Sequence, residues 1–173
     1  MKKCAALLLV LLALVCCAAA DKPTEYTCGD FEYILLEDGT AEITGYTGGA
    51  AELVVPDALD GYRVTGIGDY AFSSCRSLTS ITLPEGVTSI GKWAFQLCGS
   101  LTSITLPDSL ARIGDYAFSN CTSLTSITIP DNVMQMGVNP FAVCRKLTAI
   151  NVSPGHPVFV TIDGVLFDKT EKS

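Results

Sequence analysis

Residues 64–86 read Val-Thr-Gly-Ile-Gly-Asp-Tyr-Ala-Phe-Ser-Ser-Cys-Arg-Ser-Leu-Thr-Ser-Ile-Thr-Leu-Pro-Glu-Gly, a unit of 23 residues. The unit returns at 87–109, at 110–132 and, more loosely, at 133–155. A segment this short cannot bury its own apolar face, so consecutive copies stack and share one continuous core. The repeat therefore predicts a solenoid.

Each unit contains one short segment with the character of a buried strand. The phrase Leu-Thr-Ser-Ile-Thr-Leu-Pro at 78–84 recurs at 101–107 and, with one substitution, at 124–130. It is rich in β-branched residues and ends at a proline, which cannot donate to the next ladder bond. We expect a strand of a parallel sheet, with its leucine and isoleucine side chains pointing inward and its threonines outward.

The rest of the unit predicts a second extended piece and a single helical turn. The extended piece ends at an Ile-Gly pair, and a Tyr-Ala-Phe-Ser-x-Cys phrase or a close variant follows it. The Phe and Cys of this phrase are expected to face the core. Asp69 and Asp115 stand at the start of the turn and can cap it. Lys92 takes this position in the second unit, so the cap is not required in every coil.

The segments that flank the repeats predict caps made of strands. Residues 21–27 are polar and expected to be loose, whereas 31–45 read as two strands joined at Asp38-Gly39, a dipeptide suited to a tight hairpin. Residues 46–63 look like half a repeat with a turn at Asp60-Gly61. A second hairpin, turning at Asp163 and Gly164, follows the fourth unit.

The first twenty residues have the pattern of a secretory signal peptide. Two lysines precede an apolar run at 5–15, and small residues at 18–20 form the expected cleavage site. The run is too short to predict a membrane span. Acylation of Cys16 or Cys17 is the less favoured alternative, because neither follows the small residue that lipid-modifying signals prefer. We therefore expect a secreted or cell-surface protein.

These features divide the chain into four parts: a signal peptide at 1–20, a hairpin cap with a half repeat at 21–63, the four repeats at 64–155, and a C-terminal hairpin at 156–173.

The charge of the mature chain argues against nucleic-acid and membrane partners. Without the signal peptide, 9 basic and 18 acidic residues remain. Nucleic acids and anionic membranes are bound through clusters of lysine and arginine, which this sequence lacks. No second apolar run is long enough to span a membrane.

Four of the five mature cysteines recur at the repeat period, namely Cys75, Cys98, Cys121 and Cys144. Their common position in the unit predicts free, buried thiols that act as small apolar side chains rather than as disulfide partners. Pairs of the C-x-x-C type are absent, and we expect neither a metal site nor a cofactor.

The combined pattern, Cys-x-x-Leu-x-x-Ile-x-Leu-Pro followed by Ile-Gly-x-x-Ala-Phe, resembles the BspA-type leucine-rich repeats of bacterial and protist surface antigens. The resemblance implies an α/β solenoid, a right-handed leucine-rich-repeat coil with short parallel strands, single helical turns and β-hairpin caps. It also implies a secreted or surface-attached protein-interaction or adhesion module. In the family the phrase at 162–167 is normally followed by a returning strand, so we expect an open C-terminal edge and self-association through it.

No pattern in the sequence indicates an enzyme. The single histidine, His156, lies between Gly155 and Pro157 without an indicated nucleophile or orienting partner, and is expected to be structural.

Two outward ladders are the candidate binding surfaces: Tyr70, Trp93 and Tyr116 at the turn, and Thr79, Thr102 and Thr125 on the strands. The threonines are also explained by strand propensity with cross-strand hydroxyl contacts, and the rings by shielding of the coil edges. Aromatic side chains dominate many interaction hot spots and can stack on sugars. We therefore favour the aromatic ladder, with an extracellular or cell-surface protein as partner; the alternatives are a glycan ligand and a purely structural surface module.

Overall fold

The structure, a computed structural model, describes residues 23–162 and 165–169. The predicted signal peptide and the predicted turn at Asp163 and Gly164 lie outside these residues. Within them the chain forms fifteen strands: β1 (Glu25–Cys28), β2 (Phe31–Leu35), β3 (Ala41–Tyr46), β4 (Glu52–Val54), β5 (Ala58–Leu59), β6 (Tyr62–Ile67), β7 (Ser80–Thr82), β8 (Ser89–Ile90), β9 (Ser103–Thr105), β10 (Arg112–Ile113), β11 (Ser126–Thr128), β12 (Gln135–Met136), β13 (Ala149–Asn151), β14 (Phe159–Ile162) and β15 (Val165–Asp168).

Parallel strands form two sides of a solenoid. The front strands are β4, β7, β9, β11 and β13, where β4 pairs with β7, β7 with β9, and β11 with β13. The back strands are β6, β8, β10 and β12, which pair in that order. Ile81 lies opposite Ile104, and Ile90 lies opposite Ile113. Residues one repeat apart therefore stack directly, which confirms the predicted solenoid.

The N-terminal end is closed by antiparallel strands. β2 and β3 form the hairpin that the Asp38-Gly39 dipeptide predicts, and Gly39 has a φ of 79°. β3 then pairs in parallel with β6, so the hairpin extends the row of back strands. The half repeat also forms a coil, since Leu53 of β4 lies opposite Ile81 of β7.

The expectation that residues 21–27 are loose is wrong for 25–27, which belong to β1 (Glu25–Cys28). This strand pairs with β2 along its whole length. The ring of Tyr26 stacks on that of Tyr33, with their centroids 5.4 Å apart. Ladder bonds come from the backbone and do not depend on side-chain hydropathy, so the polar composition of the segment is misleading.

The predicted helical turns do not form in the described residues, and the α/β class is corrected there to a β-solenoid. An α-helix requires each N–H to bond the carbonyl four residues earlier. In these turns alternate N–H groups instead donate to carbonyl oxygens of the next coil at 2.7–3.0 Å: Tyr70 to Lys92, Phe72 to Ala94, Ser74 to Gln96, Trp93 to Asp115, Phe95 to Ala117, Leu97 to Ser119, Tyr116 to Val138, Phe118 to Pro140 and Asn120 to Ala142.

The intervening N–H groups form local bonds to the carbonyl three residues earlier, as Ser73 does to Tyr70 and Gln96 to Trp93. The turn segments thus act as a third ladder between coils. Neighbouring coils supply the acceptors, and a single unit of sequence does not contain them.

The core is a set of stacked, equivalent side chains. The rings of Phe72, Phe95 and Phe118 are nearly parallel, with successive centroids 5.2 Å apart. The predicted inward residues Leu78, Ile81 and Leu83 are buried, whereas their equivalents Ile104 and Leu106 in the next unit are partly buried. Because every layer has the same composition, each coil provides the apolar surface that the next one needs. The right-handed sense of the coil stays a prediction.

The described residues contain no helix that is long and apolar enough to cross a membrane.

Candidate binding surface

Asp69 and Asp115 bond to the next coil and do not cap their own turns. Oδ1 of Asp69 accepts a hydrogen bond from the N–H of Lys92 at 2.7 Å, and Oδ1 of Asp115 accepts one from Val138 at 2.9 Å. Nζ of Lys92 lies 3.1 Å from Oδ2 of Asp115. The Val138 N–H and, after it, the Lys92 ammonium lower the pKa of Asp115. The two aspartates thus accept backbone hydrogen bonds, as the capping prediction requires, but the donors lie in the next coil and not in the turn that each aspartate begins.

Glycine at the end of each back strand allows two coils to approach closely. A Cβ atom on Gly114 would lie 2.6 Å from the carbonyl carbon of Gly91 and 2.7 Å from the nitrogen of Lys92. The same clash with preceding backbone would arise at Gly91 and Gly137. The Ile-Gly pairs of the sequence are thus required for coil stacking. The regular recurrence of these glycines in the sequence indicates that the position is constrained. It does not show which backbone atoms the glycines approach.

The aromatic ladder, Tyr70, Trp93 and Tyr116, is a continuous stack in the structure. The ring centroids of Tyr70 and Trp93 are 5.1 Å apart with planes 16° from parallel, and those of Trp93 and Tyr116 are 5.8 Å apart at 6°. Tyr70 is 51% exposed, and the other two side chains are half-buried. The structure therefore brings all three predicted residues together.

An unusual backbone conformation accompanies these rings. Their φ angles are 61°, 52° and 53° in order, a left-handed region that bulky residues rarely occupy. Asn139, the equivalent residue in the fourth coil, has a φ of 46°. Asparagine tolerates this region well, and the aromatic residues do not share that preference. The inter-coil hydrogen bonds of the turn hold the backbone in this conformation.

The stack decides which parts of the rings a ligand can reach. Both faces of Trp93 are covered, one by Tyr70 and the other by Tyr116. The solvent side of the ladder therefore presents ring edges and polar tips. An outer ring face remains at Tyr70, the most exposed member. Edges and hydroxyl groups suit contacts with a protein surface, whereas a sugar-stacking platform needs open ring faces.

A shallow groove of about 420 Å³ runs beside the aromatic ladder. Its floor contains the three glycines described above, and its polar side chains come from Asp69, Lys92, Arg112, Asp115 and Gln135. Each residue of the ladder directly follows one of the groove residues Asp69, Lys92 and Asp115. The ladder and the groove are therefore adjacent and together offer aromatic edges with charges of both signs.

The threonine ladder, Thr79, Thr102 and Thr125, forms hydrogen bonds with the backbone of neighbouring coils. Oγ1 of Thr79 donates to the carbonyl of Ala51 at 2.8 Å, and Oγ1 of Thr102 donates to the carbonyl of Thr79 at 2.9 Å. The carbonyl of Thr125 accepts an equivalent bond from Thr148 at 3.4 Å. The hydroxyls of Thr79 and Thr102 thus bond neighbouring coils to each other, whereas Thr125 takes part through its backbone carbonyl.

The repeat cysteines form no disulfide bond in the described residues. Sγ of Cys98 donates to the carbonyl of Phe72 at 3.1 Å, and Sγ of Cys121 donates to that of Phe95 at 3.2 Å. These two are buried as predicted, whereas Cys75 and Cys144 are only half-buried. Each buried thiol interacts with a half-buried one, Cys98 with Cys75 and Cys121 with Cys144. This interaction, together with burial, raises the pKa of Cys98 and Cys121, and it lowers the pKa of Cys75 and Cys144.

His156 is a core residue in a fully buried position. It continues the inward column of Val87, Leu110 and Val133, from which it is separated by whole repeats. Nδ1 accepts hydrogen bonds from the N–H groups of Val158 and Phe159 at 3.2 and 3.1 Å, and Nε2 lies 3.2 Å from the carbonyl of Pro130. The ring thus links the C-terminal hairpin to the third full coil, which agrees with the structural role expected for this histidine; its burial in the core was not predicted.

Comparison with known proteins identifies the family. The model of the BspA type leucine rich repeat region matches residues 59–170 in six copies. No curated protein matches the chain significantly. A leucine-rich repeat protein from Bacteroides capillosus is 34% identical, with a TM-score of 0.68, and the match covers 75% of this chain and 98% of that one.

Two further solved structures are similar. The T. pallidum leucine-rich repeat protein is 30% identical, with a TM-score of 0.64, over 73% of this chain and 71% of its own. A leucine-rich repeat protein from Bacteroides ovatus is 29% identical, with a TM-score of 0.52, over 74% of this chain and 40% of its own. With its repeats, its stacked coils and these relatives, the chain belongs to the BspA-type leucine-rich repeat family.

Proposed function

We propose that this protein is a secreted or surface-attached, non-enzymatic module that binds an extracellular protein through the aromatic ladder and the groove beside it. The observation that carries the proposal is the stack of Tyr70, Trp93 and Tyr116, three rings held in register on adjacent coils. Aromatic side chains are enriched in interaction hot spots, and truncating one often weakens binding by about 2 kcal/mol or more.

The rigidity of the ladder supports a role in recognition. The N–H of each ladder residue bonds the next coil, and each ring rests on a neighbour, so little side-chain freedom remains to be lost on binding. Ordering a free side chain at an interface costs about 0.5–1.5 kcal/mol. A pre-stacked ladder avoids most of that cost.

The groove supports the choice of a protein partner over a glycan. Lys92 and Arg112 lie in it together with Asp69 and Asp115, so it can meet peptide charges of either sign. The faces of Trp93, which a sugar ring would need, are covered by the two tyrosines. A protein ligand therefore fits this surface better than a glycan does.

The test variant combines Trp93→Ala and Tyr116→Ala. The control is Tyr62→Ala, which removes an exposed tyrosine outside the ladder. The mature wild-type chain is first used to capture proteins from an extracellular fraction. The captured protein is then purified, and its affinity for each variant is measured by calorimetry. The fluorescence of Trp93, the single tryptophan, reports binding by the wild type and by Tyr62→Ala.

We expect the double variant to bind at least about tenfold more weakly than Tyr62→Ala, which corresponds to about 1.4 kcal/mol. Its unfolding midpoint should remain close to that of the wild type. Equal affinity in the double variant and the control would contradict the proposal. Loss of binding in Thr102→Lys alone would place the site on the front strands, and binding on a glycan array without protein binding would support the glycan alternative.

A further inference from the structure

The end of the solenoid formed by the fourth coil leaves its apolar interior partly uncovered. In the third coil the core residues are buried, namely Ile113, Phe118, Cys121, Leu124 and Ile127. In the fourth coil they are only partly buried: Met136, Phe141, Cys144, Leu147 and Ile150. A groove of about 550 Å³ lies between these residues and the hairpin of β14 and β15.

Exposed apolar side chains occur in the fourth coil and the hairpin, and two of them, Val165 and Phe167, line the groove itself. Val138 is 59% exposed, Ile162 is 55% exposed and Phe167 is 47% exposed, and Met134 and Val143 are exposed as well. Clusters of exposed apolar residues on a soluble protein generally mark an interaction surface.

Backbone groups at the same end lack the partners that their equivalents have. The N–H groups of Asn139, Phe141 and Val143 correspond to turn donors of earlier coils and have no acceptor in the described residues. On the back strands, the carbonyls of Ala111 and Ile113 accept bonds from the following coil, but those of Met134 and Met136 accept none there. Within the part of the chain that the structure describes, this end therefore has both donors and acceptors without partners, as a self-complementary surface requires.

The distribution of charge favours contact between two copies of this end. Residues 23–62, at the opposite end, contain nine acidic residues and no basic one, whereas 133–169 contain three basic and two acidic residues. Two N-terminal ends would repel strongly, and two C-terminal ends would not. A head-to-tail arrangement fits less well, because the antiparallel strands β3, β2 and β1 extend the row of back strands at the N-terminal end, where a further parallel coil would otherwise pair.

From these observations we infer that the fourth-coil end binds a second copy of this chain, end to end, about a twofold axis. Such an interface uses the same patch on both copies, so donors at 139–143 of one copy can face acceptors at 134–136 of the other. The contact adjoins the groove beside the aromatic ladder, since Gln135 and Met136 line that groove as well. Self-association is measured on the purified chain without a partner, so its outcome is distinguishable from that of the proposed function.

The experiment measures the mass of the mature chain by sedimentation equilibrium over a wide range of concentration. The disrupting variant is Val138→Lys combined with Phe167→Lys, which places charge in the apolar patch. The matched control is Val54→Lys, an exposed valine on the edge strand β4, which is 76% exposed. Circular dichroism checks that both variants retain the fold of the wild type.

We expect the wild type and Val54→Lys to form a dimer with rising concentration, and the double variant to dimerise at least about tenfold more weakly. Hydrogen exchange at the N–H groups of Asn139, Phe141 and Val143 should slow as the dimer forms. A wild type that stays monomeric, a double variant that dimerises normally, or open-ended polymers in place of dimers would overturn the inference.

Discussion

The carboxylate of Asp69 accepts a hydrogen bond from the backbone N–H of Lys92, a residue one coil further along the chain, at 2.7 Å. The relationship joins two equivalent positions of adjacent repeats. It ties the stacking of coils to a side chain that occurs in the first and third repeats and is replaced by lysine in the second. Its removal should therefore weaken the contact between coils.

We expect Asp69→Ala to lower the free energy of unfolding by about 1 kcal/mol, the effect of losing a side-chain cap on a backbone N–H. Asp108→Ala is the matched control, because Asp108 is exposed and its carboxylate makes no hydrogen bond in the described residues. Urea unfolding followed by circular dichroism measures both. An equal effect of the two substitutions would show that the Asp69 bond does not contribute to stability.

Asp115 makes stability depend on pH in the acidic range. The Val138 N–H and the Lys92 ammonium hold its pKa below the ordinary value of 3.8. A lowered carboxyl pKa stabilises the fold above the unfolded pKa, and this contribution disappears as the pH falls through the folded pKa. Between about pH 5 and pH 3 the wild type should thus lose more stability than Asp115→Asn, which keeps an oxygen acceptor without the charge. Parallel urea midpoints for the two proteins across this range would contradict the assignment.

Gly114→Ala should be severely destabilising. Its Cβ would lie within 2.7 Å of backbone atoms of Gly91 and Lys92, which cannot move without separating two coils. Overpacking of this kind typically costs about 1–3 kcal/mol, and a backbone clash belongs at the upper end. Gly99→Ala is the control, because the nearest atom to its Cβ would be Oγ1 of Thr122 at 3.6 Å. Similar thermal midpoints for the two variants would refute the close approach.

His156→Val should destabilise the protein although valine or leucine fills the equivalent position in earlier coils. The substitution leaves the N–H groups of Val158 and Phe159 without their acceptor, and a buried unsatisfied group costs about 1–3 kcal/mol. His156→Asn can offer an oxygen near the position of Nδ1 and should be less damaging. The two variants are compared by chemical unfolding and by proteolysis of the C-terminal hairpin. If valine proves the milder substitution, packing rather than hydrogen bonding determines this position.

The repeat thiols should react with an alkylating reagent at two distinct rates in the folded protein. Cys75 and Cys144 are half-buried and have lowered pKa values, whereas Cys98 and Cys121 are buried with raised pKa values. Because the thiolate is the reactive form, Cys75 and Cys144 should be labelled before Cys98 and Cys121. Peptide mass spectrometry after timed labelling identifies each site, and full labelling of the unreduced, unfolded chain is the control. A disulfide between any two of the four would contradict the assignment.

The repeat itself was sufficient to predict several features of the fold. Stacking of equivalent residues, inward Leu78 and Ile81, and the hairpin turn at Asp38-Gly39 follow from periodicity and from local conformational preference. Each depends on residues that are close in sequence or identical from one unit to the next. Such features can be worked out from a single unit and its neighbours.

Periodicity and local preference do not predict the hydrogen bonds between coils. The segment that begins with Tyr70 has residues that suit a helical turn, and the sequence therefore predicts one. In the structure its N–H groups find acceptors 22 residues away, in the following coil. A local pattern cannot reveal such an acceptor, because the distance between the two segments is set by the packing of the whole array.

The candidate site divides in the same way. The sequence by itself determined that Tyr70, Trp93 and Tyr116 recur at one position of the repeat, and therefore that they form a ladder. Only the tertiary structure decided that their faces cover one another, that a groove of mixed charge runs beside them, and that His156 lies in the core. Recurrence is a property of the chain, whereas ring orientation and burial depend on inter-coil hydrogen bonds and contacts that exist only after the coils have stacked.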